Sequence, residues 1–339
     1  MKPRIEIGFD KEVREAFVRK EPLYFPRDNE FLLNHARSGL LLALQSLQLP
    51  QGSQVGLMVY NCHTVMNAVA QAGYEAAFVD IDDGLRMDLD DLQRKSESMK
   101  ALVVTHLFGI VNDVKAIRER CPHLIIVEDC AHAFGKPIEG DFGVYSIGQG
   151  KLPSLGDGGI LMVNNAKYVD AVKSRYAALS SYSAWSEMEL FAKLLLRRWM
   201  YGRLLYGSLT MRWKQSRKPV SAKDTIVMKR MSLGVRAMYG LRKDAVNFQI
   251  ARRKENAMKE SELLSHNSLA SKVLCGENAF MLVVVSTNLS SLRSCYAERG
   301  VETATHFSNT ITWAKEFGYR GDCPKAEKMM ETLLMVPVY

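Results

Sequence analysis

The stretch Leu124-Ile125-Ile126-Val127-Glu128-Asp129-Cys130-Ala131-His132-Ala133-Phe134-Gly135 joins a short apolar run to two acids and a small-residue turn. Apolar residues in succession, with no polar alternation, suit a strand covered on both faces. The acids fall at the carboxyl end of that strand, the end beyond which open α/β sheets gather their ligands. Towards the N-terminus, Ala101 to Leu107, Ala76 to Ile81 and Val55 to Tyr60 read as strands of the same kind. Helical patterns separate them over Asp113 to Arg120, Leu89 to Glu97 and Thr64 to Ala72, the last stopping at Gly73. Phe31 to Leu47 reads as a further helix with Leu40, Leu41, Leu44 and Leu47 on one face. In the other direction, Val144 to Ile147 and Ile160 to Val163 are short apolar runs and Ala166 to Leu179 is helical. Strands alternating with helices predict the α/β class, with a large, mixed but mostly parallel sheet layered by helices.

The second half changes character. Residues 191–218 carry arginine, lysine, leucine and large aromatics, among them Arg197, Arg198, Trp199, Tyr206, Arg212 and Trp213. Val227 to Leu264 reads as mainly long helix, bent near Gly234 and Gly240. Phe280 to Val285 reads as a strand and Leu289 to Arg299 as a helix, before irregular segments up to Val336-Pro337-Val338-Tyr339. The expected organisation is a large α/β domain over residues 1–220, with a basic helical insertion near 185–220. Residues 221–339 then supply a long helix and a smaller C-terminal α+β domain, ending without a final helix.

With 47% hydrophobic and 24% charged residues in 339, the composition is that of a soluble globular protein. No apolar run approaches the roughly 18 residues of a spanning helix, and Met1-Lys2-Pro3-Arg4 is charged rather than signal-like, so a cytoplasmic location is expected. The six cysteines lie far apart with no CxxC pair, which signals neither a metal site nor a disulfide framework. The net charge of +8 comes with no nucleic-acid-binding motif, so no nucleic-acid partner is expected. Residues 191–218 suit a partly buried helix pair or a dimer contact, with weak contact with an acidic membrane surface as a further reading.

Ser146-Ile147-Gly148-Gln149-Gly150-Lys151 follows the next apolar run after Asp129, with Gly156, Gly158 and Gly159 close behind. Small residues on both sides of Lys151 permit close backbone approach to a ligand. A phosphate-binding GxxxxGK[ST] loop is excluded, because Tyr145 stands at its first glycine and Leu152 at its Ser or Thr. A lysine and a strand-end aspartate so placed suggest a site for pyridoxal 5'-phosphate (PLP). That cofactor needs one amine to hold its aldehyde as an imine and one carboxylate to keep its pyridine nitrogen protonated. On its own Asp129 is equally a turn cap; Lys151 gives it weight. Ser146 offers a hydroxyl to the phosphate, as does the backbone of Ser38-Gly39 near a helix start, with Arg37 adding charge. Ser38 and Gly39 are as readily mere helix-entry residues.

These segments resemble the DegT-type (DegT/DnrJ) nucleotide-sugar aminotransferases, PLP enzymes of fold type I. Val103 to Gly109 with Asp113 and Ile117, Glu128 to Gly135, and Ser146 to Lys151 with Gly158-Gly159 carry the resemblance most specifically. Phe78-Val79-Asp80-Ile81-Asp82 looks like the family's FVDID strand, and Pro324 to Tyr339 like its CPxAE and LPxY ending. The resemblance implies Lys151 as the imine lysine, Asp129 as the pyridinium partner, and Ser146 with Ser38 and Gly39 around the phosphate. It also implies transfer of an amino group from an amino acid, L-glutamate by resemblance, to a keto group on a nucleotide-linked sugar, by a homodimer.

Several positions depart from the family pattern. Leu40 replaces a threonine, and His132 replaces the glutamine beside the cofactor's phenolic oxygen while still able to donate a hydrogen bond. Cys62 falls where an aromatic residue stacks on the ring, with His63 or Tyr60 as substitutes, and Met228 replaces an asparagine ahead of Arg230-Met231. His306, in a match to the family's HY segment, and Arg230 are the candidate substrate residues. Two other readings stay open. One is sugar dehydration, whose enzymes on this scaffold usually lack the lysine; the other is a non-catalytic partner subunit that kept the fold.

Overall fold

The computed structural model describes residues 24–201 and 223–338. Seven strands form the main sheet: β1 (Glu30–Leu33), β2 (Gln54–Met58), β3 (Glu75–Val79), β4 (Met99–Thr105), β5 (Ile125–Asp129), β6 (Phe142–Ser146) and β7 (Gly159–Val163). Their spatial order is β1-β7-β6-β5-β4-β2-β3. Neighbours from β3 to β6 pair in parallel, while β7 runs antiparallel to both β6 and β1. Parallel neighbours need long crossovers. Here these include α1 (Ala36–Ser46), α2 (His63–Gln71), α3 (Leu89–Lys95) and α4 (Val114–Arg120), with α5 (Val169–Ala177) following β7. Consecutive residues such as Ala101 to Val104 are fully buried, as expected of strands covered on both sides.

The chain steps outward from β2 to β3, then returns across β2 to β4 and proceeds to β5 and β6. That reversal opens a crevice at the carboxyl ends of β2 and β4, the topological switch point where such sheets bind ligands. Asn61 and Cys62 lie just past β2, Thr105 ends β4, Asp129 ends β5 and Ser146 ends β6.

One helix reading is corrected at its start. Phe31 to Leu33 is not helical but belongs to β1, paired to β7, and the helix begins only at Ala36. All four β1 residues are buried, and an unbroken apolar run does not by itself distinguish strand from helix. Asn34 sets the boundary: its side chain donates to Val227 O at 2.9 Å and accepts from Lys229 N–H at 3.1 Å, contacts nearly two hundred residues away in sequence.

The second half adds α6 (Ala184–Met200), α7 (Leu233–Arg242), α8 (Val246–Ser265), α9 (Leu289–Glu298), α10 (Thr310–Glu316) and α11 (Pro324–Met330). A small antiparallel sheet, ordered β10-β9-β8, comprises β8 (Lys272–Cys275), β9 (Leu282–Val285) and β10 (Leu333–Val336). The long helix expected from Val227 is corrected too. Residues up to Met231 are non-helical and bridge back to β1 at Leu33, and Ser232 starts α7 by accepting the Val235 N–H. Gly234 and Gly240 lie inside α7, and the break comes instead at Lys243–Ala245. The C-terminal segments expected to be irregular contain α10, α11 and β10. Their order comes from remote partners: Asp80 accepts the Lys325 and Ala326 N–H groups at 3.0 and 2.9 Å, acting as a cap on α11 from across the fold. Thr310 donates its hydroxyl to Val59 O at 2.7 Å and accepts the Asn61 N–H at 3.0 Å. The main apolar core therefore draws on residues from Phe31 to Met335.

The expectations for residues 1–23 and 202–218 and for Tyr339 lie outside the described residues. Among the described residues no helix is long and apolar enough to cross a membrane.

Gly159 is where β7 passes the start of α1. A Cβ there would sit 2.3 Å from both His35 C and Ala36 N, backbone atoms that cannot yield as a side chain does. Gly159→Ala is expected to destabilise the protein by about 3 kcal/mol, read as a drop in the urea midpoint at unchanged m-value.

Candidate active site

Asp129 is delivered by β5 into the switch-point crevice. Its Oδ1 accepts the Ala131 N–H at 3.0 Å, and its register partner on β4 is Thr105. Thr105 Oγ1 accepts Asn61 Nδ2 at 2.8 Å, which ties the end of β4 to the turn after β2. Burial raises the pKa of the Asp129 carboxyl, against the Ala131 N–H and the positive charge of Lys151.

Lys151 is carried on the turn after β6, where its N–H closes onto Gly148 O at 3.2 Å. Burial pulls the pKa of its ammonium down, with Cys62 and Asp129 acting the other way. Its Nζ lies 5.9 Å from the centre of the Phe280 ring. Ser146, at the end of β6, lines the same cavity.

His132 is clamped flat between Phe280, 4.5 Å away at 15°, and Phe108, 5.5 Å away at 20°. The Phe108 N–H donates to its Nδ1 at 3.2 Å. Burial, then the charges of Lys151 and His306, hold the imidazole well below the usual histidine range. The ring is therefore neutral with its proton on Nε2.

Cys62 stands at the N-cap of α2 and accepts the Thr64 hydroxyl at 3.1 Å. Burial alone would push this thiol up, but bonds from His63 and Thr64 outweigh it and the net shift is downward.

Asp129, Lys151, Ser146, His132, Cys62 and His306 line one cavity of about 450 Å³, together with Asn61, Thr105 and Phe307. A wider cleft of about 940 Å³ opens at the amino ends of β2 and β3, but holds neither Lys151 nor Asp129.

Four residues expected at the site are placed elsewhere. Ser38 and Gly39 are buried and outside the cavity lining, because α1 starts two residues before Ser38. A Cβ on Gly39 would meet Val144 at 3.3 Å and Leu161 at 3.5 Å, so this face of α1 packs on the sheet. His63 turns onto Trp313, with ring centres 4.7 Å apart. Arg230 donates Nη2 to Ala177 O at 2.7 Å and lies over the Tyr176 ring, a brace for α5 rather than a wall of the cavity.

The rim is formed instead by His35, Ala36, Arg37 and Leu40. His35 Nδ1 meets the buried Asp157 Oδ1 at 2.7 Å, and Asp157 also accepts the Tyr182 hydroxyl at 3.1 Å. Sequence inspection offered little sign of His35 or Asn61, since neither sits in a pattern with a chemical reading of its own.

Beneath the site lies a buried charge cluster. Glu128 is fully buried and faces His106 Nε2 at 2.9 Å and Lys136 Nζ at 2.7 Å, while the Glu139 and Gly140 N–H groups donate to its other oxygen. His106 Nδ1 accepts the Asn112 N–H at 3.1 Å, which leaves Nε2 to donate to Glu128. Cys130 lies close by, its thiol pushed well up by burial.

Residues 24–191 match the DegT/DnrJ/EryC1/StrS aminotransferase family. That segment belongs to this family. Among curated relatives it is similar to a GDP-perosamine synthase of Vibrio cholerae, 28% identical over 142 residues, and to a UDP-N-acetyl-3-dehydro-alpha-D-glucosamine 3-aminotransferase of Acidithiobacillus ferrooxidans, 28% identical over 158 residues. The first match covers 39% of each chain, the second 43% of this chain and 42% of the relative, so the matched region spans about two-fifths of these DegT-family proteins.

Solved structures extend the likeness of fold. PseC of Helicobacter pylori, an aminotransferase, superposes with a TM-score of 0.73 at 14% identity, covering 98% of this chain and 92% of that one. The Escherichia coli GDP-4-keto-6-deoxy-D-mannose-3-dehydratase, solved with bound hydrated PLP, gives 0.74 at 15% identity, covering 100% and 95%. The α/β fold with its large mixed sheet is thus that of the PLP-dependent aminotransferases.

Glu128 gives a pH prediction. Burial alone would raise its pKa, but the bonds from His106, Lys136 and Gly140 pull it down from 4.5 to about 2. A carboxyl depressed in the folded state contributes stability that is fully present above its unfolded value and is lost as pH falls through its folded one. Wild-type unfolding free energy should therefore fall between about pH 5 and pH 2, and Glu128→Gln should lower it by about 3 kcal/mol at pH 7 while flattening that acid limb in urea titrations.

Proposed function

We propose that this chain is a PLP-dependent aminotransferase, moving an amino group from an amino acid, here L-glutamate, to the keto group of a nucleotide-linked sugar, and acting as a homodimer. One observation carries the reading: Lys151 and Asp129, an amine and a carboxylate, are buried in one cavity at the topological switch point. The names of the curated relatives, which include GDP-, UDP- and dTDP-linked sugars, support the class of acceptor.

The residues present fit PLP. Asp129 would face the pyridine nitrogen and Lys151 would hold the aldehyde carbon. Ser146, together with the first turn of α1 at Ala36 and Arg37, would receive the phosphate, since free N–H groups and the helix dipole at a helix start favour an anion. When bound, PLP supplies the electron sink for charge released at the donor's Cα.

The chain's own groups do the rest. With PLP bound, Asp129 would keep a proton on the ring nitrogen, because a cation opposite a carboxylate favours the ionised acid against the upward push of burial. Its hydrogen bond from the Ala131 N–H holds the carboxylate in register for that task. The Lys151 amine would carry the proton from the donor Cα. A base works best when its pKa lies near the operating pH, and burial moves this lysine in that direction. His132, fixed in its Nε2-protonated form, donates one hydrogen bond into the cavity without adding charge. The aromatic groups Phe108, Phe280 and Phe307 around it keep water from the proton in transit.

Purified protein mixed with PLP should develop a visible absorption band that glutamate discharges. Borohydride should fix the label on the peptide containing Lys151. The band should be absent in Lys151→Ala, and Asp129→Asn should keep the label while losing on the order of 10²- to 10³-fold in turnover. A band unchanged in Lys151→Ala, or no band at all, removes the proposal.

A further inference from the structure

The helix α6 is amphipathic in an inverted sense. Leu194 is buried in a small core with Leu155 and Val235, and a Cβ on Gly156 would strike Leu194 at 2.2 Å, so that side of the helix is docked. Glu187 on the docked side accepts the Ser232 hydroxyl at 2.6 Å and the Leu233 N–H at 2.8 Å. On the side facing away, Trp185 is 74% exposed, Met188 62%, Leu195 41%, Leu196 54% and Trp199 63%. At about 100° per residue these five fall within a stripe about 100° wide and about 21 Å long, with a tryptophan at each end. A contiguous apolar face of this kind on a helix that already has its docked side calls for a partner.

Charge identifies the partner's chemistry. Arg198 flanks the stripe on one side and the Glu189–Lys193 ion pair (2.5 Å) on the other, and in the sequence residues 191–218 hold eight lysines and arginines with no acid, as many charges as the net +8 of the whole chain. Two copies of this face brought together would oppose like charges across an apolar seam, which disfavours self-association. A nucleic acid would match the charge and leave the tryptophans and leucines in water. An anionic lipid surface satisfies both parts: apolar side chains enter the boundary between headgroups and acyl chains, lysine and arginine reach the headgroups, and tryptophan favours that depth.

We infer that the outer face of α6 is a docking surface for an anionic lipid bilayer, on which the helix lies in the plane of the interface without crossing it. The contact does not depend on the aminotransferase reading, since none of the five stripe residues lines the cavity.

The test is flotation of the full-length protein with vesicles of phosphatidylcholine alone and of phosphatidylcholine with phosphatidylglycerol. Binding is expected to the anionic vesicles, at least tenfold stronger than to the neutral ones and weakened by salt. In the Trp185→Ser/Trp199→Ser variant binding should fall at least tenfold with an unchanged melting temperature, since both side chains are exposed. In the wild type, brominated lipid should quench tryptophan fluorescence. No flotation with anionic vesicles at low salt overturns the proposal, as does equal binding by the double variant. A fall in oligomeric mass in that variant by light scattering, or retention of an oligonucleotide with no retention of vesicles, assigns the face to another partner and overturns it equally.

Discussion

The chemistry of this site stands on a carboxylate that takes no part in it. Glu128 is removed from water entirely, and an isolated buried anion is untenable unless it is paired and hydrogen-bonded. Two cationic or proton-donating side chains and two backbone N–H groups meet that requirement, and they come from the end of β4 and from the loop between β5 and β6. The His106 N–H also donates to Asp129 O at 3.0 Å. Satisfying Glu128 therefore fixes the backbone that aims Asp129, its immediate neighbour, into the cavity. The adjacent acids divide the work: one is sunk below the sheet end to hold the loops, the other faces the ligand space.

Much of this was legible in the sequence, for identifiable reasons. The parallel strands announced themselves because burial on both faces leaves an unbroken apolar run, and the lysine loop because its glycines mark close backbone approach. The elements misjudged were those defined by partners distant in the chain. Asn34 ends β1 through contacts at Val227 and Lys229, and Asp80 caps α11 from more than two hundred residues away. Local pattern carries no trace of such bonds, so β1 read as helix and α11 as irregular.

The site residues divide along the same line. Asp129, Lys151, Ser146, His132 and Cys62 line one cavity because strand ends and glycine turns position them locally. Ser38 and Gly39 lie a few residues along α1 from Ala36 and Arg37, a shift that exchanges the helix face on the cavity for the face on the sheet. His35 at the rim depends on the buried Asp157, and Asn61 on Thr105, pairings that only the assembled fold brings about.

The hydroxyl of Thr310 bears on how the molecule comes into being. It ties α10 to Val59 and to Asn61, whose side-chain amide donates to Thr105, the register partner of Asp129. On a ribosome the strands that carry Asp129 and Lys151 are made before the segment that holds His306, Phe307 and Thr310. Those strand ends wait for partners that come much later in the chain, and their apolar residues stand open to chaperones for that interval.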